Sequence, residues 1–211
     1  MKPPLPRLLL ITDRTVCPEL PQAVAAALEG GVRHLLLREK ALAPTPFKQL
    51  AHQMLALTAA HGAHLLIHDR LDIALAVGAA GLHLSANGIP TAEARQGLAS
   101  LPGGGVLGRS CHSVEAACAA LQAGADFVTL SPLFPTRSHP GMPALGSAAF
   151  ASMRARIPGA VLALGGIQLD NVAAALATGA TGVALIRGIL DRADPRQAAV
   201  DLLAKLNEYR V

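Results

Sequence analysis

The stretch Ala123-Gly124-Ala125-Asp126-Phe127-Val128-Thr129-Leu130 is one of four variants of a phrase that organises this chain. The others are Glu29-Gly30-Gly31-Val32 ahead of His34-Leu35-Leu36-Leu37, Val77-Gly78-Ala79-Ala80 ahead of Gly81-Leu82-His83-Leu84, and Thr178-Gly179-Ala180 ahead of Thr181-Gly182-Val183-Ala184-Leu185. Each joins an alanine-rich helical stretch to a glycine stop and a short apolar run. Glycine takes the left-handed conformation that ends a helix. A short apolar run without alternation is a strand covered on both faces.

The gaps hold the same pattern. Leu8–Ile11 opens the series, Ala63–Ile67 follows a helical stretch at Pro46–His61, Val106–Gly108 follows Thr91–Ser100, and Val161–Leu164 follows Ser147–Arg156. Strands are therefore expected near residues 8, 34, 64, 81, 106, 126, 161 and 182, with a last helix over Pro195–Tyr209. The spacing of roughly 20 to 35 residues is that of one βα unit. Eight such units predict an α/β fold, a compact (β/α)8 TIM barrel, with residues 1–211 as one domain. An open doubly wound sheet is the competing arrangement. A dinucleotide-binding sheet would carry GxGxxG after its first strand, where this chain has Thr12-Asp13-Arg14.

Composition agrees with that class. Of 211 residues, 52% are hydrophobic and 15% charged, enough for a large core and too apolar for disorder. The mean hydropathy of +0.41 raises the question of a membrane span. The most apolar stretch, Ile73–Pro90, is broken by Gly78, Gly81, His83, Asn87 and Gly88, so no membrane association is expected. Pro3, Pro4 and Pro6 precede a run too short for a signal peptide. Three cysteines without a CxxC pair point to neither a disulfide framework nor zinc, and a cytoplasmic location is expected. The net charge of +4 is scattered, and with no Trp and one Tyr there is no aromatic platform for nucleic acid. A small anionic substrate suits this balance better. A homo-oligomer is compatible with it.

A barrel keeps its chemistry at the carboxyl ends of its strands. Gly165-Gly166 and Arg187-Gly188 stand after strands 7 and 8, where backbone N–H groups and a short helix are expected to hold a phosphate, in preference to serving only as tight strand exits. Arg38 and Lys40 alternate on an extended segment, so both could face the mouth and hold a second anion. His112, with Ser110 and Ser113 nearby, follows strand 5. Histidine moves protons near neutral pH, while Ser113 is also placed to cap a helix. His34, His64 and His83 are expected to be structural. His64 and His68, four apart on a strand, stand about 13 Å apart, too far to share one ion.

The loop sequences resemble the superfamily of thiamine phosphate synthases and thiazole tautomerases (TenI). The pieces that carry the resemblance are Ile11-Thr12-Asp13-Arg14, Leu37-Arg38-Glu39-Lys40, His68-Asp69-Arg70-Leu71-Asp72-Ile73-Ala74, Gly81-Leu82-His83-Leu84, Gly108-Arg109-Ser110-Cys111-His112-Ser113, Ser131-Pro132-Leu133-Phe134-Pro135-Thr136, Leu145-Gly146 and Ala163-Leu164-Gly165-Gly166-Ile167. The synthase pattern has Gln where this chain has Leu36, Asn at His68, a second acidic metal ligand at Gly88, Lys at His139 and Ser at Arg187. Mg²⁺ favours carboxylate oxygens, and here Asp69 stands alone. These departures lead us to expect the tautomerase branch: an isomerase of thiamine biosynthesis that aromatises a thiazole carboxylate phosphate, without a cofactor or metal. On that resemblance His112 is the proton carrier. Arg38, Lys40, Asp69, Ser110, Thr136, Gly166, Arg187 and Gly188 are the substrate-binding residues. The alternative is thiamine phosphate synthase, a transferase that couples hydroxymethylpyrimidine diphosphate to thiazole phosphate with Mg²⁺. A third possibility is a non-catalytic regulator that binds thiazole or thiamine phosphates.

Overall fold

A computed structural model describes residues 2–137 and 141–209; His139 of the sixth loop lies outside them. The strands are β1 (Leu8–Ile11), β2 (His34–Leu37), β3 (His64–His68), β4 (Gly81–Leu84), β5 (Val106–Cys111), β6 (Phe127–Leu130), β7 (Ala160–Leu164) and β8 (Gly182–Leu185). All pair in parallel, in chain order, and β1 pairs with β8 to close the barrel. The helices are α1 (Leu20–Glu29), α2 (Pro44–Ala60), α3 (Leu71–Val77), α4 (Thr91–Gly97), α5 (Val114–Gln122), α6 (Gly146–Arg154), α7 (Val172–Ala177), α8 (Arg187–Leu190) and α9 (Pro195–Glu208). The expected barrel is the observed one. The main difference is β5, which runs on to Cys111 and takes Arg109 and Ser110 into the sheet, where the sequence places them in a loop.

Alternation along the strands explains why their sequences are continuously apolar. Leu9, Ile11, Leu36, Leu66, Val106, Phe127, Leu162 and Ala184 turn inward and fill the barrel. Their neighbours Leu8, Leu10, Leu35, Leu37, Leu65 and Ile67 turn outward and pack under the helices. Both faces are buried, so polar residues would be costly on either. The interior nevertheless holds imidazole. His83 is fully enclosed, its ring centroid 5.7 Å from that of Phe127 and 6.2 Å from that of His68. Room for this cluster comes from Gly108 on β5. A Cβ there would meet the Phe127 ring edge and would lie 2.6 Å from His83 Cδ2.

The opposite end of the barrel is closed by side chains without chemistry in view. His34 and His64 are register partners with ring centroids 5.2 Å apart, and a ring nitrogen of His34 donates to the Pro4 carbonyl at 2.9 Å. Both histidines are structural, as expected. Arg95 donates to the carbonyls of Gly104 and Gly124 and to Asp126, which in turn accepts Leu107 N–H. Among the described residues no helix is long and apolar enough to cross a membrane.

Gly108→Ala should destabilise the protein by about 1–3 kcal/mol, the usual cost of forcing an extra methyl into a filled interior. Calorimetric melting of the two proteins checks this; an unchanged melting temperature would show that the interior has slack.

Candidate functional site

The carboxyl ends of the strands enclose a cavity of about 290 Å³. Its floor is Ile11, Leu164 and Ala184, the last inward side chains of β1, β7 and β8. Its walls are the β7–α7 loop, the start of α8 and the sixth loop. Arg38, Thr136, Gly166 and Arg187 all line it, so four of the residues singled out by sequence meet in one place.

The glycine pair after β7 is dictated by close approach. Phe134 N–H donates to Gly165 O at 3.1 Å and Leu133 N–H donates to Leu164 O at 2.8 Å, which lays the sixth loop against β7. Gly166 has φ +64°, and a Cβ on it would run into Pro135 O and lie 2.9 Å from Phe134 Cβ. The packing of the sixth loop therefore requires these glycines whether or not an anion binds. The same turn leaves backbone facing the cavity. Across from it, α8 begins at Arg187, and the first N–H groups of a helix have no acceptor inside the helix. Gly188 is buried, with Ile167 O 3.0 Å from where its Cβ would stand. An oxyanion between the two turns would meet N–H groups from both.

Four arginines, Arg38, Arg137, Arg187 and Arg192, line the cavity with Asp191 as the one carboxylate among the described lining residues. Arg137, Gln168 and Arg192 were not picked out from the sequence. Arg192 lies just beyond α8, the short helix expected after strand 8, and nothing in the local pattern marks it.

Other predicted residues lie elsewhere. Arg38 and Lys40 do not share a cavity. The backbone does not stay extended as expected: Leu42 N–H donates to Glu39 O at 3.1 Å, which turns the chain at Lys40, and the lysine opens on an adjoining pocket of about 210 Å³ with Glu39, His68 and Asp69. Glu39 between them is buried and accepts Arg14 N–H at 3.2 Å; burial pushes its carboxyl above the usual range, opposed by hydrogen bonds from Thr12 and Arg14. His112 and Ser110 line a third, open groove beside Arg109 and Ser113. His112 is tied to the main cavity through one bond. Its Nδ1 lies 2.9 Å from the carbonyl oxygen of Ser131, and Ser131 lines the cavity wall. A carbonyl only accepts, so Nδ1 carries a proton, and in the neutral ring the lone pair is on Nε2. Ser113 does cap α5, its Oγ accepting Ala116 N–H at 3.1 Å, so it fixes the residue beside His112.

Asp69 sits at φ +56°, the one described non-glycine residue with positive φ. Its Oδ1 accepts Ser85 N–H at 2.7 Å and its Oδ2 is 3.4 Å from His68 Nδ1. It does not pair with Arg38. One oxygen of the carboxylate thus holds the β4–α4 loop. A Cβ on Gly88 would stand 2.7 Å from the same Oδ1. Arg109 ties that loop from the other side, donating to the carbonyls of Ala86 and Ile89 and to Thr91 Oγ1 at 2.9–3.0 Å. Among the described residues no three His, Cys, Asp or Glu side chains converge to hold a metal. Gly88 brings no second carboxylate from the β4–α4 loop to Asp69; the other carboxylate of that pocket is Glu39.

The buried imidazoles are kept neutral. Burial lowers His83 to about 3 and His68 to about 4, with neighbouring Asp69 opposing the shift of His68. Inside the barrel His83 Nε2 is 3.4 Å from Thr129 Oγ1, which donates to Ser110 Oγ at the same distance.

Comparison with known proteins agrees along the length of the chain. A family model described as thiamine monophosphate synthase (TMP-TENI) matches residues 8–189. The chain is 47% identical over 203 residues to a putative thiamine-phosphate synthase of Geobacter sulfurreducens, covering 94% of this chain and 93% of that protein. It is 38% identical over 201 residues to a thiamine-phosphate synthase of Methanoculleus marisnigri, covering 92% of each. A solved thiamine phosphate pyrophosphorylase from Pyrococcus furiosus superposes with a TM-score of 0.85 at 31% identity, covering 96% of each chain.

Two outcomes follow. Gly166→Ala places a side chain at a positive φ and against Pro135 O, so affinity for inorganic phosphate should fall by about tenfold or more, the loss of roughly one charge-assisted hydrogen bond. Titration calorimetry reads it; unchanged affinity would remove Gly166 from the cradle. The second concerns acid. His83 and His68 stay neutral in the fold while an unfolded chain takes up protons below about pH 6.5. Stability should therefore hold steady above about pH 7 and fall as pH drops through 6.5 toward about 4. Melting temperatures across that range check the sign, and His83→Gln should flatten part of the slope.

Proposed function

The chain belongs to the thiamine monophosphate synthase family, and from that premise we propose that it forms thiamine phosphate, joining a pyrimidine diphosphate to a thiazole phosphate. The observation that carries this reading is the likeness to thiamine-phosphate synthases, which covers more than nine-tenths of the chain. The thiazole phosphate would lie between Gly166 and the start of α8. Coupling forms a bond at the pyrimidine's exocyclic carbon and breaks that carbon's bond to the diphosphate, which leaves with the electron pair. With Asp69 held by Ser85 and glycine at 88, the departing charge falls to Arg38 and Lys40, one on each side of Glu39. Fixed cations aimed at a developing charge do most in a site where they need not reorganise.

A second reaction is favoured by one particular geometry, that of Asp69 and Gly88. The β4–α4 loop brings no carboxylate to Asp69, while the backbone turns at Gly166 and α8, Arg38 and His112 would serve as phosphate cradle, cation and imidazole. Those three suffice to aromatise a thiazole carboxylate phosphate. His112 Nε2 would take the proton from a ring carbon, become imidazolium, and return the proton to the exocyclic carbon. Arg38 would hold the negative charge that develops meanwhile. Because His112 stands in the groove next to the cavity, the substrate has to reach it past Ser131. Neither step calls on a membrane or a nucleic acid.

One assay tests both. The protein is incubated with thiazole phosphate and pyrimidine diphosphate, with and without Mg²⁺, and separately with the thiazole carboxylate tautomer in excess EDTA. Formation of thiamine phosphate is the expected result. Turnover of the tautomer alone would replace the first reading with the second, and turnover of neither would leave a phosphate-binding protein. If the tautomer reacts, His112→Ala should lower kcat by about 100-fold, the scale of a lost acid/base group, with the fold intact. Wild-type turnover in that variant would make His112 a residue of the α5 start and nothing more.

A further inference from the structure

The turn after β7 is built from residues that do not set their own direction. Gly165 and Gly166 sit at φ +103° and +64°, and glycine reaches positive and negative φ about equally well. What holds the turn comes from further along the chain. Asn171 Nδ2 donates to Gly166 O at 2.9 Å, and Asn171 Oδ1 accepts Gln168 N–H at 2.9 Å. A carbonyl needs a donor and an N–H needs an acceptor, so these two partners fix which way the side-chain amide faces. Gln168 is anchored a second time, its Oε1 accepting Arg192 Nη2 at 2.6 Å. The turn is thereby tied to the chain just beyond α8.

Asn171 is also the N-cap of α7, where an asparagine side chain ordinarily accepts an N–H of the first helical turn. It makes no such bond here. The side chain reaches back to the turn instead, and one consequence follows from peptide geometry. A trans peptide is planar, with its C=O and N–H on opposite sides, so pinning Gly166 O also sets the direction of Ile167 N–H. Ile167 is buried and lines the cavity. Its N–H meets no acceptor among the described residues. Buried N–H groups without an acceptor are rare and costly, and an oxyanion in the cavity would satisfy this one.

We propose that Asn171 is a positioning residue for anion binding: it holds the Gly166–Ile167 peptide so that Ile167 N–H is presented to a phosphate oxygen in the cavity. The proposal rests on the reading of this cavity as a phosphate site, and adds to it a donor and the residue that aims the donor. Asn171 does not itself line the cavity, so it acts only through the turn.

The test follows the Ile167 amide by proton–nitrogen NMR during titration with inorganic phosphate, and the same titration gives the affinity. In the wild type the amide proton should move downfield as it gains an acceptor. Asn171→Asp keeps the oxygen that accepts Gln168 N–H but, ionised at about pH 7, donates nothing to Gly166 O. It should lose the downfield shift and bind phosphate about tenfold more weakly, the scale of one charge-assisted hydrogen bond. Asn171→Ala should behave alike, which separates loss of the donor from repulsion by a carboxylate. If Asn171→Ala does not fold, the Asn171→Asp and wild-type titrations are repeated at raised ionic strength, which screens repulsion but does not restore the bond. Phosphate that binds without moving Ile167 would overturn the proposal and leave the phosphate site standing. So would variants that keep the downfield shift, whatever their affinity, because Asn171 would then be a structural residue of the α7 start. A wild-type protein that binds no phosphate would overturn the proposal and the phosphate site together.

Discussion

Eight short strands can close only if the space inside them is filled, and here one aromatic ring and one imidazole fill much of it. Phe127 and His83 occupy the volume that Gly108 leaves, with Leu66, Val106 and Leu162 around them. That arrangement sets the rest. It fixes β4, β5 and β6 side by side, and so fixes where the β4–α4 loop, Arg109 and His112 emerge. The imidazole serves as a hydrophobe. Burial keeps His83 uncharged at neutral pH, and a charge there would cost far more than the ring's packing returns. The barrel wall is thus neutral up to the strand ends, and charge begins abruptly at the mouth.

The fold could be read from the sequence because it is written in repeated local signals. A glycine stop and an unbroken apolar run carry their meaning within eight residues. The interior cluster could not be read that way. Gly108, Phe127 and His83 lie on three strands, and the need for a glycine opposite a ring appears only when the strands are placed together. Strand 5 shows the same limit: Arg109 and Ser110 look like loop residues by polarity, yet they extend the sheet because their partners on β4 and β6 continue beside them.

The site divides in the same manner. Gly166 and Arg187 were legible because strand exits 7 and 8 are fixed points of a barrel. Arg38 was legible through its place beside β2. Lys40 was expected to join it, but the segment turns after Glu39 and sends the lysine to the next pocket. Arg192 was invisible, since its role depends on Gln168 reaching it across 24 residues. His112 is where sequence and structure say different parts of one thing. The sequence marks the residue, and the structure supplies the carbonyl of Ser131 that selects its tautomer.

The contact between position 88 and Asp69 bears on how such barrels change through descent. A side chain at 88 would begin 2.7 Å from an oxygen of Asp69, and that oxygen holds Ser85 N–H. The Asp69 carboxylate would have to turn aside and release Ser85, while Arg109 still held the loop carbonyls. Position 88 and the hydrogen bond of Asp69 are therefore coupled, and a change at one is felt first at the other.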